Sequence, residues 1–436
     1  MMDIQTHIAR AFWRLTSGRR SLVRLLLAAF LAHFFLALVS SAALPEMPDV
    51  ITFKIWANRA VDEGIHRAYS SEAFWYDWLP LYLYLSKAVG LVYRYTGLSD
   101  VFGPYSRVLT LGLKTPMILL HLLTGGLVYL LTERFHGAVG RPSWAAAAYL
   151  FNPAIALATS VAGYQEALHT ALIVLAAFCL CAGREGRMAV WAALAFLTKP
   201  QAAIFLPALG VFLFARSGLR GLVRSIGIGL LAALAALAPF ILYGEFGGVV
   251  RMFFGVTDVH QWLSGCAHNI WWVVDQGPLF ASDRNPLFLG INGLAIGLFL
   301  LAVFSLCVLY RLFRRSSSPA LVHFCAFLGM GFFMLSTEMH ENYLYAMFPF
   351  LAVFIYASRP LGLLYAGLTV TWGLNVALTL WLLHTGSPVF LGAVRVSIVN
   401  ALANIALLLG WGYLVFVRDL RVGVGETSRT DADSPK

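Results

Sequence analysis

Leu79-Pro80-Leu81-Tyr82-Leu83-Tyr84-Leu85-Ser86-Lys87-Ala88-Val89-Gly90-Leu91-Val92-Tyr93-Arg94-Tyr95-Thr96-Gly97 is the stretch whose reading decides the fold. It is apolar enough to resemble a membrane span, and counting it as one flips the side of every later loop. The arginines settle the choice, because Lys and Arg concentrate in the short cytoplasmic loops of membrane proteins. With 79–97 left out of the membrane, Arg134 and Arg141, Arg184 and Arg187, Arg216, Arg220 and Arg224, Arg311, Arg314 and Arg315, Arg359, and Arg418 and Arg421 all fall on one side. That is also the side of the Arg-rich amino terminus, which carries Arg10, Arg14, Arg19, Arg20 and Arg24. The stretch is therefore expected to be an amphipathic helix lying in the interface, with Lys87 and Arg94 reaching to headgroups.

The rest of the chain is built around such spans. It is 60% hydrophobic and 12% charged, with a mean hydropathy of +0.76. A hydrocarbon core about 30 Å thick takes about 20 apolar residues per helix. Runs near 22–44, 108–133, 143–162, 166–183, 188–199, 201–215, 224–243, 288–312, 320–336, 343–357, 361–383 and 396–417 give an all-α polytopic protein of about 12 spans. The runs at 188–199 and 201–215 are short, which points to tilted or re-entrant segments. The run at 22–44 is too long for a cleaved signal sequence, despite Ser41-Ala42-Ala43, and reads as an uncleaved first span. A β-barrel would show short alternating segments instead. The net charge of +10 comes largely from loop arginines and gives no nucleic-acid signature. Five cysteines are spread so that only Cys266 falls in a long loop, so no disulfide framework is implied.

This threading gives one membrane domain over 1–422, with both termini cytoplasmic and a polar tail at 423–436. Two long outer loops, 45–107 and 244–287, are of the length that usually carries function. Charge is otherwise kept out of the apolar runs, yet polar islands occur at Lys114-Thr115-Pro116, Gly163-Tyr164-Gln165-Glu166, Lys199-Pro200-Gln201 and Glu338-Met339-His340-Glu341-Asn342. Charge at a span is costly and marks a functional site by default, and all four islands fall at the outer face. Carboxylates set against cations at a membrane surface suit transfer from a lipid-linked phosphate. A carboxylate deprotonates an acceptor hydroxyl, and cations stabilise the charge growing on the leaving phosphate. The outer aromatics Trp56, Trp75, Tyr76, Trp78, Trp262, Trp271 and Trp272 suit sugars or an interfacial belt equally well.

Several of these segments resemble integral-membrane glycosyltransferases of the GT-C superfamily, most of all Gpi18-like and polyprenol-phosphate-mannose-dependent mannosyltransferases of bacteria. Pro48-Asp49, Trp56, Gly64, Tyr69 and Asp77-Trp78-Leu79-Pro80 resemble the first outer loop with its acidic residue. Phe151-Asn152-Pro153 through Gly163-Tyr164-Gln165-Glu166 resembles an "NP…G-Q-D" segment, with Glu166 in place of Asp. Leu197-Thr198-Lys199-Pro200-Gln201 matches "LTKPQ", and Met339-His340-Glu341-Asn342-Tyr343-Leu344 resembles "MHERYL", with Asn342 where the family usually has Arg. Leu263-Ser264 through Asn269-Ile270-Trp271-Trp272 adds an "LS…N-x-WW" match.

The resemblance implies transfer of a hexose, mannose in these relatives, from a polyprenyl-phosphate donor to a lipid or glycan acceptor. The reaction would take place on the extracytoplasmic side of a bacterial inner membrane, with inversion. It implies Asp49 as base, with Asp77 as its rival and a helix cap as its plainer reading. His340 joins it in the catalytic set, unless it is a satisfied turn histidine. Lys199, Gln201, Lys114, Gln165, Glu166, Glu341, His268 and Asp77 are the substrate-binding candidates. Lys199 and Lys114 also suit interfacial anchors, and Glu166 also suits a helix N-terminus. No cofactor is certain; a divalent metal is possible at Glu166, but one carboxylate is too few ligands to argue for it. Two other classes stay open. A transporter or lipid flippase also carries intramembrane charge, although its sites sit at mid-membrane. A non-catalytic GT-C-like partner subunit would account for Asn342.

Overall fold

The computed structural model describes residues 2–70, 76–255, 260–385, 391–420 and 422. Glu72 and Trp75 of the first outer loop and the 423–436 tail lie outside them. The described chain is mostly helical, with one short hairpin. In order it runs α1 (Met2–Ala43), α2 (Pro48–Asp62), α3 (Leu81–Tyr95), α4 (Leu98–Phe102), α5 (Arg107–His136), α6 (Pro142–Leu150), α7 (Pro153–Ala156), α8 (Glu166–Cys181) and α9 (Glu185–Phe196). It continues with α10 (Leu206–Leu242), α11 (Phe246–Phe254), α12 (Ile270–Val274), β1 (Pro286–Phe288), β2 (Ile291–Asn292), α13 (Gly293–Arg315), α14 (Ser318–Leu335), α15 (Met347–Ala352), α16 (Arg359–Thr385) and α17 (Leu391–Gly412). Among the described residues, seven helices are long and apolar enough to cross a membrane, and an eighth if the bent pair at 142–162 is one span. The protein is thus an all-α polytopic membrane protein.

The expected spans differ in length for identifiable reasons. The helical stretch Pro200–Leu242 has 43 residues, about 65 Å at 1.5 Å per residue, twice the hydrocarbon core. It is not one rod. Gly218 breaks it at φ 64°, ψ −170°, a conformation open to glycine. A Cβ placed on Gly210 would lie 4.0 Å from Leu222 Cδ1, whereas twelve helical residues span about 18 Å. The two legs therefore fold back on each other, as the separate runs at 201–215 and 224–243 require. The 143–162 run bends by 40° between α6 and its continuation. Pro153 has no N–H, and the Ala154 and Ile155 N–H groups bond to Asn152 Oδ1 at 2.9 and 3.3 Å. Leu150 O is left over at the break and is taken instead by His33 Nε2 at 2.8 Å and His121 Nε2 at 3.2 Å. The 343–357 run holds the end of the 3-10 turn Glu341–Leu344 and the six-residue α15, whose residues are buried in the bundle, while Tyr356 is exposed.

The deciding stretch forms α3, whose 15 residues reach about 22 Å, short of an upright crossing. α3 packs on α2 so closely that a Cβ on Gly90 would meet the Ala57 carbonyl oxygen at 2.8 Å. Buried Lys54 of α2 pairs with Glu46 and donates to Tyr105 O at 2.8 Å, which folds the loop back onto the start of α5. Two bonds aim this loop at the bundle. Tyr69 Oη donates to Trp78 O at 2.7 Å, and Leu81 N donates to Leu197 O at 2.9 Å, two residues before Lys199. Trp56, Trp271 and Trp272 are buried at 2%, 2% and 3% exposure. Their faces are packed, Trp56 against Phe53, Tyr76, Trp78 and Tyr82. These aromatics build the loops and offer no open face to a sugar.

The arginine threading makes a topological prediction. In a variant freed of its five cysteines, single cysteines beside Arg134 and Arg315 should resist an impermeant thiol reagent applied from outside. Cysteines at Ser336 or Thr337 should react if solvent reaches them. External labelling beside Arg134 and Arg315, with none at 336 or 337, would overturn the threading.

Candidate active site

Lys199 is the centre of the site. It follows α9 and stands just before the 3-10 turn Pro200–Phe205, so Pro200 fixes the exit of the chain. Its side chain is buried at 3% exposure. Nζ is bonded to Glu166 Oε1 and lies 4.1 Å from the Trp78 ring centroid and 5.3 Å from that of Tyr343. Cation–π attraction at such distances is worth more when desolvated. Glu166, at the start of α8, is buried at 1% exposure, and its Oε2 lies 3.4 Å from His169 Nδ1. A buried ion pair of this kind is costly to break from either side.

A cavity of about 250 Å³ opens beside Lys199. Its polar end is made by Asp77, Lys199, Gln201 and His260, and an apolar wall by Leu294, Leu298 and Leu301 of α13 with Phe332 of α14. Asp77 Oδ1 and Gln201 Oε1 are buried acceptors without a hydrogen-bond partner among the described residues. Leu298 is 54% exposed, so the wall continues onto the outer surface of the bundle. The rim is held by the second outer loop. Thr337 Oγ1 donates to Asp283 Oδ2 at 2.8 Å, and Arg284 Nη2 lies 3.6 Å from Glu338 Oε1.

Asp49 sits in the first turn of α2. Its side chain is accessible and forms no hydrogen bond or ion pair with the described residues. It is nonetheless surrounded closely enough that loss of hydration raises its pKa. Lys199 and His260 pull it down and Glu166 pushes it up. Asp77 is raised to about 6, first by desolvation, with Lys199 opposing and Asp49 adding. Glu341 is raised to about 7 by burial against the hydrogen bond from Tyr164 Oη. His340 packs its ring over Gly265, 5.1 Å from the His260 ring and 5.3 Å from the Tyr343 ring. Burial, then His260 and Lys199, push it down to about 3. His340 is therefore a neutral imidazole at pH 7. Among the candidates beside the cavity this leaves Lys199 as the basic side chain, with the His340 ring packed nearby.

The remaining candidates divide. Gln201 lines the cavity. Gln165 is buried, with Nε2 bound to Gly163 O at 2.8 Å and Oε1 without a partner. Lys114 does not line the cavity. Its Nζ is held by Val161 O at 2.9 Å and Ser40 Oγ at 3.1 Å, and it braces the turn at Gly163. That glycine is at φ 81°, and a Cβ on it would meet Lys114 Cε at 2.9 Å. His268 also stays out. Its N–H bonds to Asn375 Oδ1 at 2.9 Å, its Nδ1 pairs with Asn400 at 2.8 Å, and its carbonyl accepts from Asn404 at 2.9 Å. It anchors the second outer loop to α16 and α17. Asn269 of the same segment caps α12. Asn342 is buried in the 3-10 turn Glu341–Leu344. His260, Trp78 and Tyr343 also line the cavity, although the sequence assigned none of them a place in the site. The first two had a signal as polar or aromatic residues of outer loops, and Tyr343 stood inside a quoted motif. No group of three or more His, Cys, Asp or Glu suited to a metal ion occurs among the described residues.

The raised carboxyls fix a pH dependence of stability. A carboxyl whose folded pKa exceeds its unfolded one keeps its proton longer in the native state. Its contribution is fully present below the unfolded value and lost as pH rises through the folded value. The windows are 3.8 to about 6 for Asp77 and 4.5 to about 7 for Glu341. The Tm of the purified protein should fall as pH rises from about 4 to about 7, and an Asp77→Asn/Glu341→Gln variant should show a flatter profile. An equal slope in both proteins would refute this assignment.

No protein-family model matches the chain, and no curated protein matches it. Among solved structures it is similar to the crystal structure of ArnT from Cupriavidus metallidurans in the apo state. The alignment covers 90% of this chain and 77% of that one, at 15% identity and a TM-score of 0.45.

Proposed function

We propose that this protein is a GT-C glycosyltransferase that moves a hexose from a polyprenyl-phosphate donor to a lipid or glycan hydroxyl at the outer membrane face. The observation that carries this reading is the composition of the one cavity beside Lys199. It joins a buried lysine and unpartnered polar acceptors to an apolar wall that runs to the surface of the bundle. That pairing suits an amphiphile with a phosphate at its head. The isoprenoid lies along α13, the phosphate meets Lys199, and the sugar hydroxyls meet Asp77 and Gln201.

In the reaction Asp49 takes the proton of the acceptor hydroxyl, and the acceptor oxygen attacks the anomeric carbon. The bond from that carbon to the phosphate oxygen breaks, and its electron pair leaves with polyprenyl phosphate. One displacement inverts the anomeric centre. Lys199 balances the charge on the leaving phosphate, and neutral His340 offers it a hydrogen bond. A phosphate leaves without a protonated carboxyl, so the two-acid arrangement of glycoside hydrolysis is not required. The motif resemblance adds mannose as the first sugar to try.

Purified protein in lipid should transfer label from one member of a panel of radiolabelled polyprenyl-phosphate sugars, with mannose and other hexoses included. Donor binding without transfer would favour the partner-subunit reading. Donor movement between leaflets of a vesicle without transfer would favour a flippase.

A further inference from the structure

A second cavity, of about 360 Å³, lies at the opposite end of α9 from Lys199. The helix has 12 residues, so the two sites are separated by about 18 Å along its axis. The cavity is lined by the turn between α8 and α9 and by the second leg of α10, and three guanidiniums face it: Arg184, Arg187 and Arg224. None of the three has a hydrogen-bond or ion-pair partner among the described residues. The single acid there, Glu185, is engaged by Ser217 Oγ. A fourth guanidinium stands alongside: Arg216 Nη2 would lie 3.4 Å from a Cβ on Gly183, and its Nη1 reaches Leu180 O at 3.5 Å.

Arg184, Arg187 and Arg224 are exposed at the rim of this cavity, and like charges gathered around one space repel unless an anion joins them. An arginine fork matches phosphate oxygens in geometry as well as charge. α9 begins here, and its N-cap, Arg184, supplies no side-chain acceptor for the first N–H groups. The helix start adds its positive end to the same space. The neighbouring leg of α10 exposes Leu219, Val223, Ile226, Leu230 and Leu231, each at more than half of its surface. Positive-inside bias explains arginines on this face, but it does not explain why three line one cavity without an acid partner.

The geometry points to a phosphate-binding site in this cavity, with the headgroup of an anionic phospholipid as its occupant. The phosphate sits among Arg184, Arg187 and Arg224, and the acyl chains lie along the exposed leg of α10. Basic pockets between membrane helices take lipid phosphates in this way. The site is independent of the catalytic reading and touches none of its residues.

The test uses the full-length protein in a neutral detergent, titrated with phosphatidylglycerol, with phosphatidylcholine and with inorganic phosphate, and read by native mass spectrometry and Tm. Phosphatidylglycerol should bind and raise Tm where phosphatidylcholine does not. An Arg184→Gln/Arg187→Gln/Arg224→Gln variant should bind it ~10-fold or more weakly, since each lost charge-assisted bond is substantial. Arg187→Gln and Arg224→Gln singly should each show part of that loss, which keeps the test open if the triple variant does not fold. Stabilisation by inorganic phosphate alone, lost in the same variants, would keep the site and overturn its lipid occupant. Equal binding of phosphatidylglycerol by wild type and all variants would overturn the proposal.

Discussion

Asp49→Asn should lower transfer by about 10²–10⁴-fold, the usual worth of a general base, while donor binding is largely kept. The substitution preserves size and hydrogen-bonding shape but removes the group that takes the acceptor proton. Asp49 is suited to that role because it is accessible and no ion pair occupies it. Lys199, Glu166 and His260 are close enough to act on its charge. Asp77 is the competitor: it lines the cavity itself and is raised to about 6. Parallel kinetics of Asp49→Asn and Asp77→Asn at equal abundance separate them. Asp77→Asn should raise KM for the donor, because its carboxylate is assigned to sugar hydroxyls. An active Asp49→Asn beside a dead Asp77→Asn would move the base to Asp77. Full transfer by both would remove the base from the first outer loop.

Lys199→Met should do two things at once. It should abolish measurable donor binding, and it should destabilise the fold by about 3–5 kcal/mol, because Glu166 is left as a buried charge without its partner. The same ion pair makes the two effects separable. In Lys199→Met/Glu166→Gln the stranded carboxylate is gone, so the Tm should recover most of the loss while donor binding stays absent. A double variant that regains binding along with stability would make Lys199 a structural lysine, as its packing between Trp78 and Tyr343 would also allow. Glu166 in this account is the residue that positions Lys199, and a bound phosphate must share the ammonium with it.

How far the sequence carried this picture depended on whether the needed information was local. The interfacial reading of 79–97 rests on the arginine distribution, which is visible in one dimension; the 15-residue length of α3 came only with the fold. Lys199 stood out because a charge between two apolar runs has few harmless explanations. The bend at 142–162 was marked by Asn152-Pro153, yet the reason it is tolerated was not: His33 and His121 come from two other helices to satisfy Leu150 O. His268 looked like a site residue because the three asparagines that hold it lie more than 100 positions away. Lys114 looked like an outer-face cation for the same reason, with Ser40 and Val161 out of view. The charge of His340 depends on burial and on two neighbours brought in by different loops, so no local motif encodes it. Trp56 and Trp271 were read as open to a sugar or to the interface, and packing closed both.

The central claim is that a polyprenyl phosphate lies with its head at Lys199 and its chain along α13. A polyprenyl phosphate bearing a photoreactive group on its isoprenoid, cross-linked to the purified protein and mapped by peptide mass spectrometry, tests this most directly. The account predicts adducts within 294–301 and at Phe332, suppressed by excess unlabelled polyprenyl phosphate and lost in Lys199→Met/Glu166→Gln. Competable adducts confined to other helices, unchanged in that variant, would contradict it.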